Sequence, residues 1–405
     1  MNLSRGISYV RAVMGITHGS RAFGGPVQAA IDVTNRCNVQ CIHCYFYSPY
    51  LHKPNFESLR KARQRGMPLP DDEALRRTEQ AEIDAHRLCL LIEETLKMGT
   101  RRFQLSGGEP LLHKELLDSV ARIKHAGAFC FLNTNGTKIN KHTAEAFITL
   151  GIDELRITLM AGTPEVYLRT HPGVSKSVFE SIRDSLIYIA DQKRQRDLAS
   201  PKIFLAFIVT SQNKEDLLRI AEFADEVGAN GVLYRPVDDI EDEGLARVVP
   251  TAEEASFVRK QLPEVKAFLE SKGIAHNIPN FEKVFGTQLD TRRLYRLIPC
   301  YYGWLSVRIS AEGDVYPCCR CYQPMGNIYE QTFSEIWYGE MYRRFRKEAL
   351  KLPGQDTPIS DCDCFSCVHH TANLRVYNAL HPITRSVVKK KMESFDDNSR
   401  KFTES

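Results

Sequence analysis

The chain lacks any apolar run near the ~18 residues needed to cross a bilayer. Its apolar runs are short, such as residues 88–92, and no membrane partner is expected. It also lacks an excess of one charge. Lys and Arg number 54 against 50 Asp and Glu, a net +4. A dedicated nucleic-acid binder would carry a larger or more clustered basic surface, so no nucleic acid is expected either. No secretory hydrophobic region opens the sequence, and a cytoplasmic location is expected. The first 29 residues hold Arg5, Arg11 and Arg21 without an acid. That faintly resembles a transit peptide, but the segment reads better as an ordered arm. Cysteines spaced as a disulfide framework are missing too. Of twelve, three sit at 37, 41 and 44 and seven between 300 and 367. Cys89 and Cys130 stand alone in apolar segments and read as core residues. Without a secretion signal, such clustering points to metal ligands.

What remains is an ordinary globular composition, 43% apolar and 26% charged, on 405 residues. That length suits two or three domains. Strand-like runs occur at 28–34, 101–106, 128–133, 153–160, 203–210 and 231–237, with helical patterns between them. Four of those helices end at a glycine (Gly99, Gly127, Gly151 and Gly228), where a left-handed C′ residue is wanted. Six βα units predict an α/β fold, a partial (β/α)6 barrel of parallel strands with its site at the strands' C-terminal ends. Residues 1–27 precede it as the arm, and the barrel spans 28–240. The long segment at 48–80, with Lys53, Arg60, Lys61, Arg63 and Arg65, reads either as a lid or as a solvated basic helix. Residues 241–295 form a helical connector, in which Thr251 and Glu254 make a capping-box signal. A small cysteine-rich auxiliary domain follows at 296–372, then a polar tail at 373–405.

Cys37, Cys41 and Cys44 lie on one loop directly after the first strand. Three thiolates there can hold three irons of a [4Fe–4S] cube and leave the fourth iron open to a ligand. Zinc is the competing reading, and it wants a fourth ligand. His43 is a poor one, squeezed between two ligands on a tight loop.

This loop, Cys37-Asn38-Val39-Gln40-Cys41-Ile42-His43-Cys44-Tyr45, resembles the signature of the radical SAM superfamily. Ser106-Gly107-Gly108-Glu109-Pro110 is similar to that family's GGEP motif, and Asn133-Thr134-Asn135-Gly136 to its TNG segment. The resemblance covers about residues 28–240. It implies a [4Fe–4S] cluster, S-adenosylmethionine as second cofactor, and an external reductant such as flavodoxin or ferredoxin. It implies further that Ser106, Gly107, Gly108, Glu109, Asn133 and Asn135 surround the bound S-adenosylmethionine. Glu109 would hold its ammonium group and the His43 backbone would lie against its adenine. Thr158 stands where a ribose-binding hydroxyl is common, and Arg169 would pair with the ligand's carboxylate. Met160 departs from the family, which often has an acid there.

The second group reads Cys300-x12-Gly313-x4-Cys318, then Cys319 and Cys321, then Cys362, Cys364 and Cys367. Gly313 suits a hairpin turn. The pattern resembles the auxiliary-cluster extension called SPASM, or its shorter twitch form. That implies one auxiliary [4Fe–4S] cluster on Cys300, Cys318, Cys364 and Cys367, with Cys362 as a substitute for Cys364 and zinc as the alternative metal. Cys319 and Cys321 read as packing residues, or as a thiol that quenches a substrate radical. The expected reaction is hydrogen abstraction from a substrate by a 5′-deoxyadenosyl radical. Oxidation or epimerisation of a small polar molecule such as a sugar or cyclitol is expected first, and modification of a peptide second. Only about 28 residues precede the first strand, whereas many peptide maturases carry an N-terminal recognition domain. Arg235 and Asp238, after the sixth strand, are the candidate catalytic residues. Tyr45, Tyr47 and His171 are further candidates.

Overall fold

The computed structural model describes residues 3–51, 62, 66–237, 243–285, 294–355, 357, 359–364, 367–382 and 388. The six expected strands are all present: β1 (Gln28–Thr34), β2 (Arg102–Gly107), β3 (Phe129–Thr134), β4 (Glu154–Thr158), β5 (Lys202–Val209) and β6 (Gly231–Pro236). Three short ones join them: β7 (Ala275–His276), β8 (Ser306–Ile309) and β9 (Val315–Tyr316). Together they form one open sheet in the order β7-β6-β5-β4-β3-β2-β1-β8-β9. Every pairing is parallel except β8 with β9. The extra strands correct the expectation in two places. β7 lies in the stretch expected to be a helical connector. The β8–β9 hairpin, turned at Gly313 (φ 86°), extends the barrel sheet beyond β1, so the auxiliary region is continuous with it.

Side chains alternate across a strand, and here the two faces differ sharply. Ala29, Ile31, Val33, Phe103, Leu105, Cys130, Leu132, Leu155 and Ile157 are buried. They pack with Leu88, Leu91 and Ile92 of helix Ala85–Lys97, Val120 and Ile123 of Leu116–His125, Phe147 of Lys141–Leu150, and Ile182 and Leu186 of Lys176–Gln195. Most residues on the other face are only half-buried, among them Gln28, Ala30, Asp32, Gln104, Asn133, Arg156 and Phe204. Among the described residues, these helices therefore cover one face, and the other, concave face stays half-buried. Because β1 to β6 are parallel and consecutive, all their following loops gather at one end, where a site is expected.

The connector helix, Ala252–Ser271, starts with the expected box: Thr251 Oγ1 accepts from Glu254 N at 3.2 Å, and Glu254 Oε2 accepts from Thr251 N at 2.9 Å. The N-terminal arm is a helix, Leu3–His18, followed by a loop tied to the auxiliary region. Trp304 Nε1 donates to Arg21 O (2.8 Å) and Trp337 Nε1 to Gly24 O (2.9 Å). The expected tail begins inside a helix, His370–Leu380, whose Asn373 is fully buried. Among the described residues no helix is long and apolar enough to cross a membrane.

Candidate functional site

The loop after β1 is held by the backbone that follows β2. Gly108 N donates to Thr34 O and Glu109 N to Arg36 O, each at 2.8 Å. A Cβ on Gly107 would stand 2.1 Å from Thr34 O, and one on Gly108 2.3 Å from Arg36 O. Real Cβ atoms never come so close, so only glycine permits this junction. The expectation was that these glycines make room for a ligand. The structure shows them making room for the cysteine loop itself. Asn35 and Arg36 fasten the loop further: Asn35 Nδ2 donates to Thr78 O (2.9 Å), and Arg36 pairs with Glu82.

That junction fixes Glu109, whose side chain is fully buried. Its Oε1 accepts from Thr134 Oγ1 (2.7 Å) and Leu111 N (3.0 Å), and its Oε2 from Asn135 N (2.7 Å). Burial pushes its pKa up, and these hydrogen bonds oppose the shift. Asn135 continues the chain of contacts. Its Nδ2 donates to Asn38 Oδ1 at 3.0 Å and lies 4.0 Å from Cys37 Sγ. The GGEP-like and TNG-like segments are thus joined to each other and to the cysteine loop.

Cys37, Cys41 and Cys44 share one loop and lie within electrostatic reach of one another. Burial is the main cause raising each thiol, Cys37 to about 11, and repulsion from neighbouring thiols adds to it at Cys37 and Cys41. The thiolate, not the thiol, is the metal ligand, so binding iron here would displace three protons and offset the cost of burying the charges. The set fits a three-thiolate cluster site. His43 is desolvated, its pKa lowered to about 4, and its Nδ1 has no partner. His171 is fully buried behind it, stacked on Tyr167 at 4.2 Å, with its pKa lowered to about 3 by burial. Both rings are neutral. Tyr167 OH is also buried without a partner and feels the charges of Cys41 and Glu109.

The other expected residues divide. Ser106, Asn133 and Thr158 are half-buried on the concave face at the strand ends. Arg169 is exposed on helix Pro164–Thr170, in a cavity lined by Ser211, Lys214, Arg247 and Glu254, and the charge it acts on is Asp216. Met160 is fully buried with φ 57° and packs with Ile42, Leu245 and Val248. Tyr45 lies against that small apolar group, and the Tyr47 hydroxyl donates to Asn35 O. Arg235 is exposed at the end of β6. Asp238, like the basic residues at 53–61 and 63–65, lies outside the described residues.

The second cysteine group sits at the opposite end of the sheet. Cys300 precedes β8 and Cys318 follows β9, which runs back antiparallel to it. A six-residue strand separates the two ends by roughly 20 Å. Cys300, Cys318 and Cys364 each lie within electrostatic reach of Cys367. Burial leads the upward shift of each thiol. Mutual repulsion links Cys300 with Cys318, Cys364 and Cys367, and Cys367 with Cys318 and Cys364. Four such thiols fit a fully ligated cluster. Cys362 is instead joined to Cys321 by a disulfide, so it is not placed as a substitute for Cys364. Cys319 Sγ lies 3.3 Å from His369 Nε2, and His369 stacks on Tyr302 at 3.9 Å. Two residues were missed by sequence reasoning. Tyr295 OH lies 2.9 Å from Cys367 Sγ, and Asn373 donates to Tyr295 OH (2.8 Å) and to Cys300 Sγ (3.8 Å). No spacing rule points to either.

Residues 31–224 match the radical SAM superfamily, and residues 300–367 match SPASM, an iron–sulfur cluster-binding domain. The PqqA peptide cyclase of Streptomyces rochei is 23% identical over 328 residues, covering 78% of this chain and 77% of that one. A probable GTP 3′,8-cyclase of Thermococcus kodakarensis is 25% identical over 307 residues, covering 74% and 81%. Among solved structures, SuiB of Streptococcus suis bound to S-adenosylmethionine superposes with a TM-score of 0.59 at 13% identity, covering 88% of this chain and 75% of that one. SuiB has also been solved bound to the precursor peptide SuiA, with a TM-score of 0.57 to this chain.

Proposed function

We propose that this chain, which belongs to the radical SAM superfamily and carries a C-terminal SPASM-type iron–sulfur cluster-binding domain, modifies a polypeptide, by crosslinking it or oxidising a side chain. With its cofactors bound, such a protein supplies a 5′-deoxyadenosyl radical that takes a hydrogen atom from the substrate, and an auxiliary centre that can accept an electron. Cys37, Cys41 and Cys44 would hold the first cluster. Glu109 would take the ammonium of S-adenosylmethionine, and Ser106, Asn133 and Thr158 would face that ligand. Cys300, Cys318, Cys364 and Cys367 would hold the auxiliary cluster, with Tyr295 and Asn373 donating to its sulfurs. Flavodoxin or ferredoxin would deliver the electron that starts the reaction.

One observation carries the peptide reading. Among the described residues the concave face carries half-buried polar side chains along its length, Gln28, Asp32, Gln104, Asn133 and Arg156 among them, with Phe131 and Ser306 buried between them. Small-molecule sites enclose most of their ligand, whereas a polar face of this length admits a chain. The likeness to the PqqA peptide cyclase supports the same reading. A small polar substrate, the sugar or cyclitol first expected, is the second reading, and the identity with the GTP 3′,8-cyclase favours that class.

The test is 5′-deoxyadenosine formation by the anaerobically reconstituted protein. Candidate peptides are compared with a small-molecule extract. Stimulation by a peptide that loses two hydrogens is expected; stimulation by the extract alone would restore the small-molecule reading. Iron content should fall from about eight to about four per chain when Cys37, Cys41 and Cys44 are replaced together.

A further inference from the structure

The strand register names every residue that shares the concave face. Gln28 pairs with Arg102 and Ser306, Arg102 with Phe129, Phe131 with Glu154, Asn133 with Arg156, Glu154 with Lys202, and Ile208 with Arg235. Paired residues in register lie on the same side of a sheet. Asp32 and Arg308, two residues on from Ala30 and Ser306, belong to that side too. On this face of β1 to β6 and β8 the cations are Arg102, Arg156, Lys202, Arg235 and Arg308. The anions are Asp32 and Glu154. Five positive groups thus stand on this face against two negative ones, with Arg308 paired to Asp32 at 2.7 Å and Arg156 to Glu154 at 2.6 Å, in a protein whose overall charge is nearly balanced.

The excess is organised. Phe131 is buried, with the Arg156 guanidinium 4.1 Å from its ring centre and that of Arg102 at 4.7 Å. Arg156 Nη2 (2.6 Å) and Nε (3.1 Å) both donate to the one Oε2 of Glu154. Its Nη1 edge keeps its donors, and 22% of the side chain remains exposed. Arg156 is two residues below Thr158, roughly 7 Å from the strand end that Glu109 faces. Stacking on an aromatic ring and an ion pair together fix the plane of the guanidinium, and a fixed fork is what recognises a carboxylate.

We propose that the concave face selects an acidic polypeptide segment, with Arg156, held against Phe131, as the residue that takes an Asp or Glu carboxylate. This rests on the peptide reading above and names the chemistry of that substrate. Glu154 competes with the incoming carboxylate and orients the arginine until it arrives.

The test uses the full reconstituted chain and two fluorescein-labelled probes, (Gly-Glu)5 and (Gly-Gln)5, read by anisotropy at low salt, where charge contacts are least screened. The wild type should bind the acidic probe at least tenfold more tightly. Arg156→Gln should lose roughly tenfold for that probe alone, the worth of about one charge-assisted hydrogen bond. Arg194→Gln removes an equal charge from an outer helix, where its side chain is 75% exposed, and should change nothing. Glu154→Gln should tighten binding of the acidic probe several-fold, a gain that misfolding cannot produce. Equal binding of both probes would overturn the inference while leaving the peptide reading standing. So would equal losses in Arg156→Gln and Arg194→Gln, or a weaker Glu154→Gln. If neither probe binds but glutarate binds by calorimetry in an Arg156-dependent way, the peptide reading falls, and this proposal with it.

Discussion

Replacing Glu109 with Gln removes one charge and almost no volume, so its consequences can be worked out from the three hydrogen bonds at that carboxylate. Leu111 N and Thr134 Oγ1 donate to Oε1, and Asn135 N donates to Oε2. The amide of Gln offers one acceptor and one donor. Whichever way it is flipped, its NH2 meets a backbone N–H, that of Asn135 or that of Leu111. One buried donor then loses its acceptor, at a cost of about 1–3 kcal/mol. This cost is common to the free and the ligand-bound protein and shows up as lowered stability. The ligand-specific loss is the charge-assisted bond to the ammonium, about 1.5–3 kcal/mol, or roughly ten- to a hundredfold in S-adenosylmethionine affinity. Equilibrium dialysis under anaerobic conditions measures it, with iron content confirming that Cys37, Cys41 and Cys44 still carry their cluster. A variant with full iron and a dissociation constant within twofold of wild type would refute Glu109 as the ammonium site.

Three further outcomes are expected. Gly108→Ala puts a Cβ 2.3 Å from Arg36 O, so the cysteine loop must move; S-adenosylmethionine-cluster iron should fall while auxiliary iron persists, as read by iron analysis of the variant. Tyr295→Phe removes the hydroxyl 2.9 Å from Cys367 Sγ and should lower the auxiliary potential in a redox titration. The shift is on the order of 50 mV if about 1.4 kcal/mol of the bond belongs to the reduced state. Burial depresses the pKa of His43 to about 4 and of His171 to about 3, below the ordinary ~6.5. The unfolded chain therefore binds protons that the folded chain refuses, and stability falls as pH drops from about 6.5 towards 3–4. Each ring contributes a slope of at most about 1.4 kcal/mol per pH unit. Urea denaturation between pH 7 and 5 should show it, and His171→Phe should flatten it.

The parts of the molecule legible in the sequence are those whose cause is local. β1 to β6 announced themselves as runs dense in Ile, Leu, Val and Phe closed by glycine-capped helices. The capping box at Thr251 and the hairpin at Gly313 each needed only a few neighbouring residues. The cysteine loop could be read because its three ligands lie within eight consecutive positions. β7 escaped because two residues are too few for a period to register, and although the hairpin turn was legible, nothing nearby said that β8 and β9 would join the main sheet. Their strand state is imposed by β6 and β1, which offer them an edge. Tyr295 and Asn373 escaped for a related reason: 78 residues apart in sequence, they meet only at the auxiliary cysteines.

Gly107 and Gly108 show how a correct motif can carry an incomplete reason. Their type was read rightly, but the surface they approach is the backbone of Thr34 to Arg36, more than seventy positions earlier. The same limit applies to the concave face. Glu154-Leu155-Arg156-Ile157-Thr158 alternates polar and apolar residues in plain view, and so does the start of β2. Alternation alone says that one side is not core. That Arg102 and Arg156 stack on the same Phe131 follows only once β2, β3 and β4 are placed side by side in register. Register is a long-range property, set by where each glycine-capped helix returns the chain to the sheet. The chemistry of the substrate therefore became readable one step later than the chemistry of the cofactors.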